Sequence, residues 1–329
     1  MKNILLIFDV ACQQDCSVKL SSMIGEEWET ERNIYNTLKK QGYYVTLFPI
    51  YNNIKELISF LIKNPKITIF NLCESINNNR DFESALISVC KLLNIKISGC
   101  SSKVIDLCKD KSITKSSLGF YGFKVPKFFV YKQGEHFSIK KSLHLNYPLI
   151  IKPLNLDGSE GIDQNSVVND AFSLKRKFNI LKRKFNTDLV VEEFIPGREF
   201  FISCMGPRRN LIFKPRELLT SNVKNKNFVY SYKAKWNIDY RNRNKVKTRF
   251  VNDPILEDKL KDYALNVYNT LNLDSYIRID CKLTADGDIY LIEVNPNPGL
   301  GKFDEFAQSA KGSGISYSNL LNNILKNAA

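Results

Sequence analysis

Metal-type cysteine and histidine motifs are missing from this chain of 329 residues. It has two histidines, His136 and His144, and eight cysteines without a single CxxC pair. The sequence therefore gives no basis for a zinc site built from paired cysteines and histidines. Most of the thiols lie in apolar stretches, so we interpret them as reduced and buried. A redox or metal role for Cys12 and Cys16, which are close in sequence, is the alternative.

Long apolar runs and glycine-rich or proline-rich stretches are also missing. No run approaches the ~20 residues that span a bilayer, and the first strand reaches Asp9 too early for a secretory signal. With 15 Gly, 11 Pro, 43% hydrophobic and 25% charged residues, the composition is that of an ordinary globular protein. We expect a cytoplasmic protein of two or three compact units, with no membrane partner.

Two familiar glycine-rich phosphate loops are absent. The first predicted strand, at 3–8, runs into Asp9-Val10-Ala11-Cys12 without the glycines that let a backbone approach a pyrophosphate. No GxxxxGK(S/T) segment occurs either. These absences argue against a dinucleotide dehydrogenase and against a P-loop ATPase.

What is present first is an alternation of strands and helices. Over the first hundred residues, helical patterns separate short apolar strands, which is typical of a parallel sheet with right-handed crossovers. The predicted strands lie at 3–8, 43–48, 67–71 and 95–98, and the predicted helices at 26–41, 54–62 and 82–93.

The rest of the chain has a different pattern, and we expect an α+β half after the α/β half. Its predicted helices lie at 102–119 and 254–271. Its predicted strands lie at 125–131, 148–153, 188–195, 199–205, 211–213, 276–283 and 289–295, and a small polar loop lies at 157–161. An Asp286-Gly287 turn joins the last two strands as an antiparallel hairpin.

That hairpin carries the most informative side chains. Arg278 and Asp280 are two apart on one strand, and Glu293 and Asn295 are two apart on the other, so all four face one side. Two carboxylates and an amide oxygen are hard ligands that suit Mg²⁺ beside substrate phosphates. The alternative is a charged cross-strand pair of Arg278 with Glu293 on a solvated face.

The net charge of +14 comes from one region. Residues 171–250 carry 20 Lys and Arg against 6 Asp and Glu, while the remainder carries 28 of each. A local positive field attracts phosphates, polyanions or acidic substrates. The densest run is equally typical of the solvated face of a helix, and its members are Lys175, Arg176, Lys177, Lys182, Arg183 and Lys184.

The segment YIRIDCKLTADGDIYLIEVNPNPGL resembles the metal-binding hairpin of the ATP-grasp superfamily, in its D-alanine:D-alanine ligase branch. DKSITKS, YPLIIKP, DGSEGI, VVEEFIPGREF and AKW match the same branch in order. The resemblance implies an ATP-grasp fold with an N-terminal Rossmann-like pre-ATP-grasp domain at 1–100. It also implies a central subdomain at 101–190 and a C-terminal subdomain at 191–329 with the metal hairpin.

The resemblance further implies ATP and Mg²⁺ as cofactors, with Mn²⁺ as a substitute, and a set of site residues. It assigns Asp280, Glu293 and Asn295 to the metal, and Arg278, Ser159 and Lys235 to catalysis. The residues implied to bind ATP are Lys111, Lys152, Ser159, Glu192, Glu193, Ile195, Glu199 and Lys235. Among them, the lysines would contact phosphates, the Glu192–Ile195 stretch adenine, and Glu199 the ribose.

The implied reaction is ATP-dependent carboxylate–amine ligation. A substrate carboxylate attacks the γ-phosphate to give an acyl phosphate, and an amine then displaces phosphate to form an amide, with Arg278 near the tetrahedral oxyanion. Charge stabilisation by lysines, Arg278 and a metal suffices for these steps. The implied partners are small amino-acid or peptide substrates, acidic ones included, and a second copy of the chain.

Departures from the family concentrate at the substrate positions. The family tyrosine after AK is Trp236, whose indole donates one hydrogen bond but accepts none. Lys302 and Asp304 follow the NPNPGL turn, and Asp304 stands where the family has a serine for the second amino acid's carboxylate. The family's first substrate-binding loop is replaced, leaving Glu26, Glu27 and Glu29 as guesses for its glutamate. We therefore predict a different amine substrate, larger or cationic.

Three alternatives stay open. One is a genuine D-alanine:D-alanine ligase. Another is a binding module with the ATP-grasp fold and no turnover. The third is nucleic-acid association through the basic segment, which we do not favour because stacking platforms need an exposed sheet; its interleaved aromatics are Phe228, Tyr230, Tyr232, Trp236 and Tyr240.

Overall fold

The structure is a computed structural model that describes residues 2–156, 158–206, 210–220 and 228–328. The first residue of the predicted polar loop, Asp157, lies outside these residues. So do residues 207–209 and 221–227 of the basic segment.

The first hundred residues form a four-stranded parallel sheet, as predicted. Its strand order is β2-β1-β3-β4, so the crossover connections place β1 between β2 and β3. The strands are β1 Asn3–Asp9, β2 Tyr44–Ile50, β3 Thr68–Asn71 and β4 Lys96–Ile97, and the helices are α1 Glu29–Lys40, α2 Ile54–Lys63 and α3 Glu83–Leu92. A 3₁₀ turn at Glu26–Trp28 occupies the predicted start of α1, so the α-helix begins later than expected.

The single helix predicted at 102–119 is wrong, because the chain forms two. α4 is Ser102–Lys109 and α5 is Lys111–Phe120. Between them Asp110 is extended (φ −85°, ψ 97°), and its Oδ1 accepts the amides of Ser112 at 2.8 Å and Ile113 at 3.1 Å. An aspartate that caps a helix ends the preceding one, since its backbone leaves the helical region. Lys111 therefore lies in the first turn of a new helix.

The central part is a four-stranded antiparallel sheet of order β5-β8-β6-β7, covered by helix α6. The strands are β5 Phe128–Tyr131, β6 Leu149–Pro153, β7 Val167–Val168 and β8 Leu189–Glu193, and α6 is Ala171–Lys184. Leu174, Phe178 and Leu181 bury one face of α6. Five of the six clustered basic residues are exposed on the rest of the helix, as expected for a solvated face, and Lys177 alone is buried beside Asp163 at 2.8 Å.

The last part is a six-stranded antiparallel sheet of order β12-β11-β9-β13-β14, with β10 paired to β9. Its strands are β9 Arg198–Met205, β10 Leu211–Ile212, β11 Arg216–Leu219, β12 Lys247–Phe250, β13 Tyr276–Leu283 and β14 Ile289–Pro296. Its helices are α7 Tyr232–Trp236, α8 Ile238–Arg243, α9 Pro254–Thr270, α10 Glu305–Gly312 and α11 Tyr317–Lys326. The sequence analysis missed β11 and β12, in which arginine and lysine interrupt the apolar alternation.

The hydrophobic cores divide these three parts unequally. Two core clusters each join residues of the first sheet to residues of the last sheet, for example Leu5 with Ile279 and Phe8 with Tyr276. The central sheet has a core of its own around Tyr131, Phe178 and Val191. We propose 1–100, 101–190 and 191–329 as domains, of which the first and last share their packing.

Two further expectations from the sequence concern the cysteines and membrane-spanning segments. All eight cysteines are free, and only Cys12 and Cys16 are not buried. In the described part of the chain, no helix is long and apolar enough to cross a membrane.

Candidate active site

The β13–β14 hairpin brings the four predicted side chains together. Arg278 pairs in register with Asn295, and Asp280 with Glu293. The turn closes through the amide of Gly287, which donates to the Thr284 carbonyl at 3.1 Å, and Gly287 adopts φ +84°. The positive φ explains the glycine of the Asp-Gly turn.

The ion pairs at the hairpin differ from the alternative considered in the sequence. Arg278 holds both oxygens of Asp280, through Nε at 2.7 Å and a terminal nitrogen at 2.9 Å. Glu293 pairs instead with Lys111, whose Nζ lies 3.0 Å from Oε1. Asp280 is only 5% exposed. The solvated cross-strand pair of Arg278 with Glu293 is therefore wrong.

The side-chain oxygens of Asp280, Glu293 and Asn295 on the hairpin are suitable ligands for a hard divalent cation. Burial raises the pKa of Glu293, but Lys111, Lys152 and Lys235 outweigh it and hold the pKa at about 2, so the group is ionised. The Asn295 amide lies against Asp280, with Nδ2 donating to Oδ2 at 3.1 Å. Among the described residues, no three His, Cys, Asp or Glu side chains cluster as metal ligands. The set is thus two carboxylates and one amide, which need substrate or water oxygens to complete a Mg²⁺ shell.

Three lysines, two on helix α5 and one on strand β6, pair with Glu293 or with Glu192. Lys111 on α5 also donates to the carbonyls of Leu154 at 3.2 Å and Leu156 at 2.8 Å, just before the polar loop. Lys152 on β6 reaches Glu192 Oε1 at 2.6 Å. Lys115, which the sequence analysis missed, pairs with Glu192 Oε2. The available signal was its spacing, since residues four apart on a helix share a face.

The Glu192–Ile195 stretch is split between inward and outward groups. Glu192 is 2% exposed; burial raises its pKa, but Lys115 and Lys152 hold the pKa at about 2. Glu193 Oε1 instead accepts the Asn146 amide at 2.9 Å. The Ile195 carbonyl accepts Lys282 Nζ at 3.1 Å. Nearby, burial raises the pKa of Glu199.

A cleft lies between the central sheet and the hairpin. One wall is apolar and includes Ile150, Phe194 and Val229, which pack together. An apolar slot edged by a few polar groups is the usual form of a small-ligand site. Nine predicted residues line this cleft, namely Lys152, Ser159, Glu192, Glu193, Ile195, Glu199, Lys235, Asp280 and Glu293.

Helix α7 and the polar loop close one side of the cleft. Ser159, at φ +63°, donates its hydroxyl to the Tyr230 carbonyl at 2.9 Å. Lys235 Nζ lies over the Tyr230 ring, 5.4 Å from its centroid. Trp236 Nε1 donates to the Gly158 carbonyl at 3.3 Å, although its side chain is 65% exposed. Trp236 thus ties the helix to the loop from outside the cleft.

The positions predicted for the second substrate are not brought into this cleft. Asp304 Oδ2 accepts the Gly301 amide at 2.8 Å, which ends the turn before α10. Desolvation raises the pKa of Asp304, Arg278 lowers it and Glu29 raises it. Of the three glutamates guessed from the sequence, Glu29 is therefore placed near Asp304. Lys302 is exposed and, among the described residues, makes no ion pair with Asp304.

Comparisons with known proteins agree with one another. The family model described as the C-terminus of D-ala D-ala ligase matches residues 119–326. The chain is 26% identical over 299 residues to D-alanine–D-alanine ligase B of Clostridium perfringens, covering 89% of this chain and 90% of the relative. The structure resembles D-alanine–D-alanine ligase of Bacillus anthracis complexed with ATP, with TM-score 0.75, 18% identity, and 99% and 97% coverage. It also resembles VanG D-Ala:D-Ser ligase of Enterococcus faecalis, with TM-score 0.74, 20% identity, and 99% of each chain covered.

Proposed function

The chain belongs to the D-ala D-ala ligase family with the ATP-grasp fold and is an ATP-dependent ligase, and from that premise we propose how it works and on what. It activates a small amino-acid carboxylate with ATP and joins it to an amine other than D-alanine. The observation that carries the proposal is the cleft itself. Its apolar slot ends at lysines and at two carboxylates of the hairpin, Asp280 and the ionised Glu293, which is what a metal-bound triphosphate requires.

The lysines supply the phosphate-binding charge. Lys152 and Lys235 line the cleft. Lys111 pairs with Glu293, which is part of the same lining. Each can place an ammonium group on phosphate oxygens, where negative charge collects as the γ-phosphate is transferred. Ser159 and the backbone of its loop face the same region. The relative of known structure from Bacillus anthracis was complexed with ATP, which supports a nucleotide here.

Asp280, Glu293 and Asn295 would hold Mg²⁺, or Mn²⁺ in its place. When bound, such a cation would neutralise phosphate charge and orient the phosphates. Arg278 binds Asp280 and also lies close enough to Asp304 for its charge to lower the pKa of that carboxyl group. We call the region around Asp304, where we place the amine substrate, the acceptor end. Its guanidinium is therefore suited to the oxyanion that forms when the amine attacks the acyl group.

We assign the nucleoside to the part of the cleft where an apolar wall excludes water and backbone groups can form hydrogen bonds. The apolar wall formed by Ile150, Phe194 and Val229 can cover an adenine ring. Backbone groups of the Glu193–Ile195 segment are placed to read its edge, because the side chain of Glu193 is turned away to Asn146. Glu199 lies 3.9 Å from Lys282 and would accept ribose hydroxyls.

The acceptor end supports an amine without a free carboxylate, or one with an added cation. By the resemblance to the family, Asp304 stands at the position of a serine for the second amino acid's carboxylate, and Glu29 adds negative charge nearby. Lys302 does not neutralise Asp304. The negative charges of Asp304 and Glu29 would repel the carboxylate of a zwitterionic amine substrate and would attract a cationic one.

The test is a ligation panel read by mass spectrometry. The protein, ATP, Mg²⁺ and D-alanine are combined with D-alanine, D-serine, D-lysine, diamines or amino-acid amides as second substrate, and the amide products are identified. The proposal predicts that cationic or carboxylate-free amines give the fastest product formation. D-alanyl-D-alanine as the fastest product would instead establish a genuine D-alanine:D-alanine ligase, the candidate that the names of the relatives favour.

ADP release in the same assay separates a ligase from a binding module without turnover. Nucleic-acid association gains no support from the fold. Tyr232 and Trp236 lie on α7 and Tyr240 lies on α8, so these aromatics do not form a stacking surface on a sheet. A homodimer and a cytoplasmic location remain predictions.

A further inference from the structure

Helix α5 delivers two lysines to two different carboxylates. Lys111 and Lys115 are four residues apart and are both buried, at 5% and 1% exposure. Lys111 reaches Glu293 on β14. Lys115 reaches Glu192 on β8, behind the cleft, whereas Lys152 and Glu192 are part of the cleft lining. Lys115 therefore serves the site without touching the space for the nucleotide.

Glu192 is shared between two cations, one on each oxygen. Lys115 takes Oε2 and Lys152 takes Oε1 at 2.6 Å, so a single buried negative charge faces two positive charges. One lysine is enough to neutralise Glu192. The other is a surplus charge, and only Lys152 is exposed to the cleft.

We propose that Lys115 is a positioning residue that keeps Glu192 paired, so that the Lys152 ammonium is released to bind a triphosphate. The inference rests on the proposed function. Without Lys115, Lys152 would be the one remaining cation within ion-pair distance of Glu192 in the described part of the chain, since Lys282 acts on Glu192 only from further away. Moving it to a phosphate would then leave a buried carboxylate unpaired, which is costly.

Nucleotide binding to purified protein tests this without turnover. Calorimetry measures the affinities for a non-hydrolysable ATP analogue with Mg²⁺ and for adenosine, which has no phosphate. In Lys115→Met the analogue should bind about tenfold more weakly, as for the loss of one charge-assisted hydrogen bond, while adenosine affinity stays within about threefold. In the double variant Lys115→Met/Glu192→Gln, Lys152 is free again, so the preference for the analogue over adenosine should return.

Lys177→Met is the matched control, because Lys177 is also a buried helix lysine with one carboxylate partner, Asp163 at 2.8 Å. Its ratio of the two affinities should equal that of the wild type. If Lys115→Met does not fold in a thermal melt, Lys115→Gln replaces it, since it removes the charge and retains a hydrogen-bond donor.

Equal losses for the analogue and adenosine, or no loss for either, would overturn the role of Lys115 while the proposed function stands. The same holds if the Glu192→Gln change does not restore the ratio. If the wild type itself does not bind the analogue with Mg²⁺, the proposed function fails, and the inference fails with it.

Discussion

The nucleotide end and the acceptor end of the site are built in opposite ways. At the nucleotide end, the buried Glu192 and the partly buried Glu293 lie against lysines, so the pKa values of both are held at about 2. At the acceptor end, Asp304 is an exposed residue whose carboxyl group is itself partly desolvated against the turn, and this desolvation together with the nearby carboxylate of Glu29 raises its pKa. The first region is preorganised for one charged ligand.

The difference shows where the chain resembles its family and where it does not. Burial of paired charges tolerates little change, because the loss of either partner leaves an uncompensated charge. An exposed turn tolerates substitution, so its residues can diverge with the substrate. We therefore expect that the chemistry of ATP and the choice of amine can be changed separately in this molecule.

The largest effect is expected from the nucleotide end. Glu293→Gln removes the metal ligand that we propose and the partner of Lys111, so kcat should fall by about 10³-fold, the equivalent of several kcal/mol of charge stabilisation. Steady-state ADP release measures it. Glu257→Gln is the control, since Glu257 pairs with Lys261 on α9. A loss of less than about tenfold would show that this carboxylate is not part of the reaction.

Acid stability should separate the two ends by sign. Glu293 has its pKa lowered from 4.5 to about 2, so it stabilises the fold above the unfolded-state pKa and that stability is lost as pH falls from about 5 towards 2. Asp304 has its pKa raised, so it contributes in the opposite direction. Urea unfolding at about pH 6 and about pH 3 gives the difference in the free energy of unfolding.

Relative to the wild type, that difference should shrink in Glu293→Gln, by on the order of 2 kcal/mol. It should grow slightly in Asp304→Asn. Changes of the same sign in both variants would contradict the opposite electrostatics of the two ends.

Amine choice should respond to a single change at the acceptor end. Asp304→Ser removes the repulsive carboxylate and restores a hydroxyl, so kcat/KM for D-alanine as acceptor should rise about tenfold, as for one hydrogen bond to a charged group. KM for ATP should stay the same. Asp304→Asn separates loss of charge from gain of the hydroxyl. No gain in either variant would remove Asp304 from substrate selection.

The smallest effect is expected at Trp236, which ties helix α7 to the polar loop at the side of the cleft. Trp236→Phe removes the hydrogen bond to the Gly158 carbonyl and keeps an aromatic ring, so KM for ATP should rise about threefold. Thermal stability should not change, because the side chain is mostly exposed. Tyr232→Phe on the same helix is the control. A shift in amine preference would instead place Trp236 in substrate contact.

The sequence predicted the regular parts of this site well, because they follow simple periods. The alternation in the hairpin places Arg278, Asp280, Glu293 and Asn295 on one face, and the Asp-Gly turn fixes their register. It could not predict that Arg278 pairs with Asp280 and Lys111 with Glu293. Those partners depend on how three distant segments pack.

Two misses have specific physical causes. The break at Asp110 was hidden because a helix-capping aspartate inside a helical pattern looks like an ordinary polar residue. Lys115 was read as part of a motif and not as a site residue, since its four-residue spacing from Lys111 indicates a shared helix face but not burial against Glu192. Asp110 caps α5 and Lys115 lies on it, and this helix contacts strands of two different sheets, β5 and β14, so both features depend on tertiary contacts.

Manganese binding followed by electron paramagnetic resonance tests the central claim most directly, that the hairpin holds a divalent cation against a triphosphate. Mn²⁺ is titrated into the protein with and without a non-hydrolysable ATP analogue, in the wild type and in Glu293→Gln. Because the analogue alone chelates Mn²⁺, each titration is compared with the same analogue concentration without protein, and we predict that the free Mn²⁺ signal falls below this reference only in the wild type with the analogue present. Equal binding by Glu293→Gln with the analogue, or no added binding by the wild type, would contradict the account.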